Sequence, residues 1–553
     1  MDPNVSTTEV ETISPRRCSP WVHFAVLAAL FLLTLSLQVR NGAFSNDFGA
    51  HADEASHVVT GLMVRDYIAG PLWRLEHPMR FAESYYQHFP KVALGHYPPG
   101  FYALEGLWLL PSRSKMAVIL LMTSLTSFAA FIIWFAGHRF LLPANAFLAA
   151  ATFILVPLVQ TYTTIVMSDM LLVIFCLLAT LSFGRFMETE KIRWSLLFGL
   201  VATAAILTKG SGLLLALVPP FAIVLSRYFR LLTNWRLWLA PIPVIALSLP
   251  WMLATRHITD EGMQHVPLSE NIPAAANFYF KVIPQTFGYL LILLLALSFL
   301  LPILRRKIEL PPFSGVRYQV FNALLLSILL FYIVVPAGLD ARYLLPALPF
   351  TILLSFSLLE RSTIALAPTL SRWTGKPAAA ITALAPVPLT LLVGALVVLE
   401  NGMPAKKEFT GSHQSLAAIV TAEPQLENPD KDERKIVLIS SDSKGEGALV
   451  AEGCLAWPEA LSFRRSSKVL SKSDWLGRDY KSTFETPAQL KEYLHKEVDF
   501  IIVDTGIPKY LQLPHHSLLQ STLAGMAPEN FTLISTIDSN RRTTTSAQFL
   551  IYR

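Results

Sequence analysis

Charge is scarce in this 553-residue chain: Asp, Glu, Lys and Arg make up 15% of it, against 53% in the apolar set. A soluble globular chain carries about 25% charged residues, and no soluble core would hide this much apolar surface. Disorder is excluded too, because disordered chains are poor in hydrophobic residues and rich in charge. Cysteine is scarcer still. Cys18, Cys176 and Cys454 are scattered without C-x-x-C spacing, so neither a disulfide framework nor a cysteine metal cluster is implied. The sequence has no P-loop, no G-x-G-x-x-G and no H-E-x-x-H, so no nucleotide cradle or zincin helix is on offer. What is plentiful is long apolar runs. They define a mainly α, polytopic helical membrane protein, and within that class a net charge of +6 reads as positive-inside loops and anionic lipid contact, not nucleic acid.

A polar tail, 1–20, ends near Arg16-Arg17 and precedes an apolar run from Trp21 to Val39, which reads as an uncleaved signal anchor with a cytoplasmic N-terminus. Further runs fall at 97–111, 115–137, 143–160, 163–184, 193–208, 211–229, 235–254, 284–304, 317–335, 343–360 and 378–399. The 97–111 run is short, begins with Pro98-Pro99, and is expected to dip in without crossing. The other eleven then put Arg139, Arg185, Lys191, Arg193, Arg227, Arg230, Arg236, Arg305 to Lys307, Arg361, Arg372 and Lys376 on the cytoplasmic side, as the positive-inside rule asks. Splitting one segment gives up to thirteen spans with the same sidedness. A transmembrane domain at 21–399, carrying a long outer loop at 40–96 and a medium one at 255–283, is followed by a soluble extracytoplasmic domain at 400–553. There, Lys435–Ser440 and Val498–Asp504 read as buried strands, 487–496 as a helix, and Phe531–Ile537 with Ala547–Tyr552 as a terminal hairpin around Ser539-Asn540-Arg541, making a small α/β fold. The polar stretch 423–435 reads as a linker, and Ser440 to Gly447 as an ordinary turn.

The chemistry-bearing residues gather in the outer loops. Asp53 and Glu54 are adjacent, and two carboxylates at a membrane surface repel, so one pKa is expected to rise into the range of a general base. The segment from Val58 to Ile68 has apolar residues at helical spacing with Arg65 and Asp66 on its other side, the pattern of an interfacial amphipathic helix. Glu54 and His57 are spaced E-x-x-H, but a di-iron site needs a second such pair and the chain offers none. A divalent ion bridging a carboxylate and a phosphate is the metal role left open, with Asp53 and Asp169 as ligands. His96-Tyr97-Pro98-Pro99 sits at a membrane entry, where it serves as an aromatic anchor or as a substrate contact. Asp169 follows Ser168 at a span mouth, as a first-turn acid or a cavity residue. Lys209 lies among glycines in Thr208-Lys209-Gly210-Ser211-Gly212, and Arg342 in Asp340-Ala341-Arg342-Tyr343, two turns suited to phosphate.

Taken in order, these motifs resemble the GT-C superfamily of integral membrane glycosyltransferases, in the branch of protein O-mannosyltransferases and the bacterial aminoarabinose transferase that modifies lipid A. The resemblance covers 20–360, best at ADEASHVVTGLMVRDY, HYPPGFYALEG, VMSDMLL, LTKGSGLLLALVPP and DARYLLPALP, and stops before 400–553. It implies a polyprenyl-phosphate-sugar donor, a lipid, glycan or protein acceptor in the cell envelope, and a site on the non-cytoplasmic face of a multi-pass inner membrane. It also implies Asp53 as the catalytic carboxylate with Glu54 beside it, Asp169 as a second catalytic acid that orients the acceptor or assists a metal, and Lys209 and Arg342 as lipid-phosphate ligands. The aminoarabinose transferase carries a lysine directly before its Pro-Pro, where this chain has Tyr97 preceded by His96. The expected substrate-binding set is His57, Arg65, His96, Tyr97, Lys209, Arg342 and Tyr343. The competing classes are a polytopic lipid or solute transporter or flippase, which predicts inverted repeats and mid-membrane ionisable residues, and an inactive envelope scaffold.

Overall fold

The computed structural model describes residues 19–304, 316–427, 434–474, 477–526, 531–541 and 544–553. The expected cytoplasmic tail up to Cys18, the basic loop Arg305 to Lys307 and 428–433 of the expected linker lie outside them.

Mostly apolar helices make up the first four hundred residues. Among the described residues, six are long and apolar enough to cross a membrane alone: Pro20–Arg40 (α1), Lys115–Gly137, Asp169–Thr189, Leu237–Ala254, Ala341–Thr374 and Ala378–Asn401. Two further runs are bent pairs, Pro143–Leu155 with Pro157–Thr164 at 61° and Leu268–Phe287 with Tyr289–Leu300 at 106°. Three shorter apolar helices, Ile192–Thr208, Gly210–Ser226 and Tyr318–Val334, match the remaining expected runs.

Two local differences stand out, at 163 and at 255–283, while the 97–111 run is short as expected. The span expected from 163 starts instead at Asp169, because the chain leaves the helix after Thr164 and re-enters with Ser168 at the N-cap. The expected loop at 255–283 is largely helical, through Arg256–Glu261 and Leu268–Phe287. The 97–111 run forms only Gly100–Trp108 (called α4 below, after the two loop helices), nine residues long. At 1.5 Å per residue it spans about 14 Å, well short of the hydrocarbon thickness of about 30 Å.

The 40–96 loop holds two helices, Glu54–Ala69 (α2) and Pro78–His88 (α3). The first departs from the amphipathic expectation, since every residue from Glu54 to Met63 is buried. One side of α2 meets α4, where a Cβ on Gly61 would lie 2.3 Å from the Glu105 carboxyl, so only glycine admits this approach. Its other side is covered by a helix of the C-terminal domain, Ser443–Ala456, in which a Cβ on Gly447 would come within 3.0 Å of Ala55. The stretch expected as a turn is thus the start of a helix, capped by Asp442, whose carboxylate accepts from the N–H groups of Lys444 and Gly445.

The C-terminal domain is α/β, as expected. Its five-stranded sheet runs in the order β2-β1-β5-β7-β6, from Lys435–Ser440 (β1), Leu461–Arg465 (β2), Phe500–Asp504 (β5), Leu533–Arg541 (β6) and Thr544–Tyr552 (β7). Ser471–Lys472 (β3) and Lys481–Ser482 (β4) form a separate small pair. β1 pairs in parallel with β2 and β5, while β7 pairs antiparallel with β5 and β6. The terminal hairpin therefore exists, with its first strand continuing through Ser539-Asn540-Arg541, where a turn was expected.

The two domains are joined by buried polar contacts along α2 and the segment before it. Lys407, beyond the last span, reaches Glu54 at 2.6 Å with both side chains essentially closed to solvent. The Phe409 N–H donates to Asn46 at 3.0 Å and the Ser412 N–H to Asp47 at 2.8 Å. Lys115 bridges Asp47 and Glu452 at 3.2 and 2.7 Å. Removing one partner of a buried pair strands the other charge, so Lys407→Ala should lower stability by about 3–5 kcal/mol, and Glu54→Gln with Lys407→Met should recover much of it. Thermal unfolding of the purified variants in detergent checks this; equal melting of wild type and Lys407→Ala would contradict it.

Candidate functional site

The ends of several helices converge on Asp53. The first turn of α2 places Asp53 at its N-cap, with its side chain 20% exposed. Its Oδ2 accepts from the Tyr97 hydroxyl at 2.9 Å and lies 3.5 Å from Arg342 Nη1. His51 closes the same carboxylate from behind, at 3.6 Å. Arg342 comes from the turn before the 348–374 helix, where Asp340 caps the turn by accepting from the Arg342 N–H at 3.0 Å and pairs with its guanidinium at 3.2 Å. The Tyr162 hydroxyl adds a hydrogen bond to Asp340 at 3.3 Å.

A second ion pair lies beside the first. Lys209 Nζ donates to Asp169 Oδ1 at 2.7 Å, with both side chains buried. The other oxygen of Asp169, Oδ2, is buried and has no hydrogen-bond partner among the described residues. Tyr343 joins the two pairs, its ring lying 5.2 Å from Lys209 Nζ and 5.4 Å from the Arg342 guanidinium. It is held flat against Tyr332, centroids 4.5 Å apart, and its hydroxyl donates to the Ala337 carbonyl. Five of the expected site residues, Asp53, Tyr97, Asp169, Lys209 and Arg342, with Tyr343 as their floor, thus form one cluster drawn from five separate stretches of chain.

The electrostatics differ from the sequence expectation. Burial opposes the charge of Asp53, but His51, Arg342, His57 and the Tyr97 hydroxyl outweigh it and hold the carboxyl at about 2. Burial also lowers His51, and pushes His57 down to about 4, so both rings are neutral at pH 7 and Arg342 is the lasting cation facing Asp53. Burial, with the Asp53 charge, drives the Tyr97 hydroxyl well above the ordinary tyrosine range, which keeps it a proton donor. The expected upward shift from neighbouring carboxylates does not occur at Asp53, because Glu54 points elsewhere. Its oxygens are taken by Lys407 and by the N–H groups of Ala50 and Val166, at 3.0 and 3.3 Å.

Four other expected residues fall outside the cluster. Glu54, so held, is buried structure and offers no free oxygen to a reactant. His57 is closed to solvent among Tyr97, Phe101 and Tyr102, at ring distances of 4.8 to 5.6 Å, and touches the cluster at the Tyr97 ring. Arg65 lies twelve positions after Asp53, about 18 Å away along α2 by the helical rise, and pairs with Asp66 at 2.7 Å. His96 is half-buried and faces Glu261 and Lys468, not Asp53. No sequence signal pointed to Lys407, which sits in no motif, nor to Lys91, whose buried ammonium donates to the Ala52 carbonyl at 3.3 Å. Burial lowers Lys91 to about 7.

Among the described residues no group of three or more His, Cys, Asp or Glu side chains is arranged to hold a metal ion. The two carboxylates suited to a divalent ion, Asp53 and Asp169, each lie against a protein cation instead. The cluster has a carboxylate open to one side, two cations beside it and a backing of tyrosines. Chemically it can accept a proton from a hydroxyl and neutralise an anion at the same place.

The family model for dolichyl-phosphate-mannose-protein mannosyltransferases matches residues 96–253, the stretch that carries Tyr97, Asp169 and Lys209. No curated protein sequence matches the chain significantly. Among solved structures, the fold is similar to that of ArnT from Cupriavidus metallidurans in complex with undecaprenyl phosphate, with a TM-score of 0.52 at 12% identity over 96% of this chain and 98% of that one. The apo form of the same protein aligns with a TM-score of 0.54, at 12% identity over 96% and 97%. The likeness extends across both domains.

With Arg342 removed, burial of Asp53 is no longer opposed by a lasting cation, and its pKa should rise by about 1–3 units. A carbodiimide reacts with protonated carboxyls, so peptide mass spectrometry should find Asp53 unlabelled in wild type down to pH 4 and labelled at higher pH in Arg342→Ala. Identical labelling profiles in the two proteins would contradict this account of the pair.

Proposed function

Because the chain has the GT-C fold of integral membrane glycosyltransferases, we propose that it moves a sugar from a polyprenyl-phosphate donor to a cell-envelope acceptor at the outer face of the membrane. The observation that carries the reading is the meeting of a partly open carboxylate, Asp53, with a buried guanidinium, Arg342, at 3.5 Å beside the Lys209–Asp169 pair. ArnT of C. metallidurans binds undecaprenyl phosphate on the same fold, which supports a lipid phosphate as the anion here.

In the proposed reaction the acceptor hydroxyl attacks the anomeric carbon while Asp53 takes its proton. The new carbon–oxygen bond forms as the bond from that carbon to the phosphate oxygen breaks, and polyprenyl phosphate leaves with the electron pair. Inversion follows from a single displacement. Arg342 and Lys209 stabilise the charge that builds on the departing phosphate, and the lipid tail along the helices contributes binding energy remote from the bond being broken. No nucleotide site is required. Asp169 holds Lys209 and presents its free Oδ2 to the acceptor.

The low pKa of Asp53 belongs to the resting site. Donor phosphate competes for Arg342, and a carboxylate that shares its cation with a phosphate becomes more basic, since burial still opposes its charge. The base is thus masked until the donor is bound. Arg342 and Lys209 supply the positive charge that a divalent ion would bring, so transfer is expected to survive EDTA.

The test is transfer by the purified protein supplied with radiolabelled polyprenyl-phosphate sugars and envelope lipid extract, with and without EDTA. Wild type should move label to a new product and Asp53→Asn should do so at least about 100-fold more slowly. Label that stays on the donor across the sugar panel would overturn the transferase reading, and undiminished transfer by Asp53→Asn would overturn the assignment of the base.

A further inference from the structure

The far end of α2 carries a second charged site, separate from Asp53. A cavity of about 400 Å³ lies where Arg65, near the end of α2, meets Arg113, before the Lys115–Gly137 helix, and Arg434, at the entrance to β1 of the C-terminal domain. That volume is within the range of about 300–1,000 Å³ that small-molecule sites occupy. One carboxylate, Asp66, serves two of these cations, 2.7 Å from Arg65 and 2.8 Å from Arg113. The third, Arg434, pairs with Glu459 at 3.2 Å, a largely exposed carboxylate that water screens. Among the described residues, three guanidinium groups thus share two carboxylates at this cavity. Among the described residues the Nε atoms of Arg65, Arg113 and Arg434 are all buried without a hydrogen-bond partner. Buried donors in native structures nearly always have partners, so three unpaired guanidinium donors around one cavity ask for an acceptor.

The chain on either side of these arginines says what carries it. Gly70 lines the cavity, and directly after it Leu72, Trp73 and Leu75 are exposed. Directly before Arg113, Leu107, Trp108 and Leu110 are exposed as well. Exposed tryptophan and leucine beside half-buried arginine is the pattern of a membrane interface, where the aromatic rings sit at headgroup level. We propose that this cavity binds the phosphate headgroup of an anionic phospholipid, which ties the end of α2 to the C-terminal domain through Arg65, Arg113 and Arg434. The guanidinium forks match phosphate oxygens, and the acyl chains follow the exposed Trp73 and Trp108 surface. This site does not depend on the transferase reading.

Native mass spectrometry of the full-length protein in detergent tests it, with phosphatidylglycerol or phosphatidylcholine added. Wild type should retain one phosphatidylglycerol and no phosphatidylcholine, and Arg65→Ala with Arg434→Ala should retain phosphatidylglycerol about 10-fold less. Arg113 is left intact because it also donates to the Cys454 carbonyl at 2.6 Å and helps hold the domains together. A melting curve of the double variant without added lipid, matching that of delipidated wild type, establishes that its loss of lipid is not unfolding. Equal retention of the two lipids, or equal phosphatidylglycerol retention by wild type and variant, would overturn the proposal. So would a melting shift produced by millimolar inorganic phosphate but not by phosphatidylglycerol, which would assign the cavity to a free phosphate.

Discussion

Two adjacent carboxylates, Asp53 and Glu54, would repel each other if they shared one environment, and the buried ion pair between Glu54 and Lys407 is what separates them. Lys407 arrives from beyond the last membrane helix and neutralises Glu54 in a place closed to water. The first turn of α2 is fixed by that contact and by the Ala50 and Val166 N–H groups that share the same carboxylate. Asp53 is then turned the other way, toward Tyr97 and Arg342. A buried ion pair gives little net stability, since desolvation offsets most of its attraction, but it is costly to break and so specifies one arrangement. Here the arrangement it specifies is the orientation of the site.

The same logic ties the C-terminal domain to the chemistry without giving it a reactive residue. Its Ser443–Ala456 helix covers one side of α2, and Lys407 belongs to the segment that leads into it. A domain that only capped the protein's end would leave α2 as an exposed amphipathic helix. Instead α2 is enclosed between α4 and the added domain, and Asp53 inherits the rigidity of both. At the other pole of the cluster, Asp340 pairs with Arg342 and Asp169 with Lys209, so each cation is held by an acidic partner.

Much of this was legible in the sequence. The eleven apolar runs announce themselves by length alone, and the nine-residue α4 betrays itself by Pro98-Pro99 and its short span. Asp53, Asp169, Lys209 and Arg342 could be read as a set because each falls in a loop, turn or span mouth on the expected outer face. What could not be read depends on contacts between distant parts of the chain. Glu54 looks as reactive as Asp53 until Lys407, 353 positions away, is placed beside it. Arg65 shares a helix with Asp53, but sequence spacing does not say that the helix runs away from the site. The glycines in Ser443–Ala456 resemble a turn, whereas one of them, Gly447, is where that helix comes close to Ala55 on α2.

The claim on which the account rests is that a lipid phosphate takes Arg342 away from Asp53. A structure of the purified protein with undecaprenyl phosphate, determined by electron cryomicroscopy, tests it directly. Phosphate oxygens are expected at about 3 Å from Arg342 and Lys209, with the Asp53 carboxylate no longer within ion-pair distance of Arg342. Phosphate bound elsewhere, with the Asp53–Arg342 and Asp169–Lys209 pairs unchanged, would contradict it.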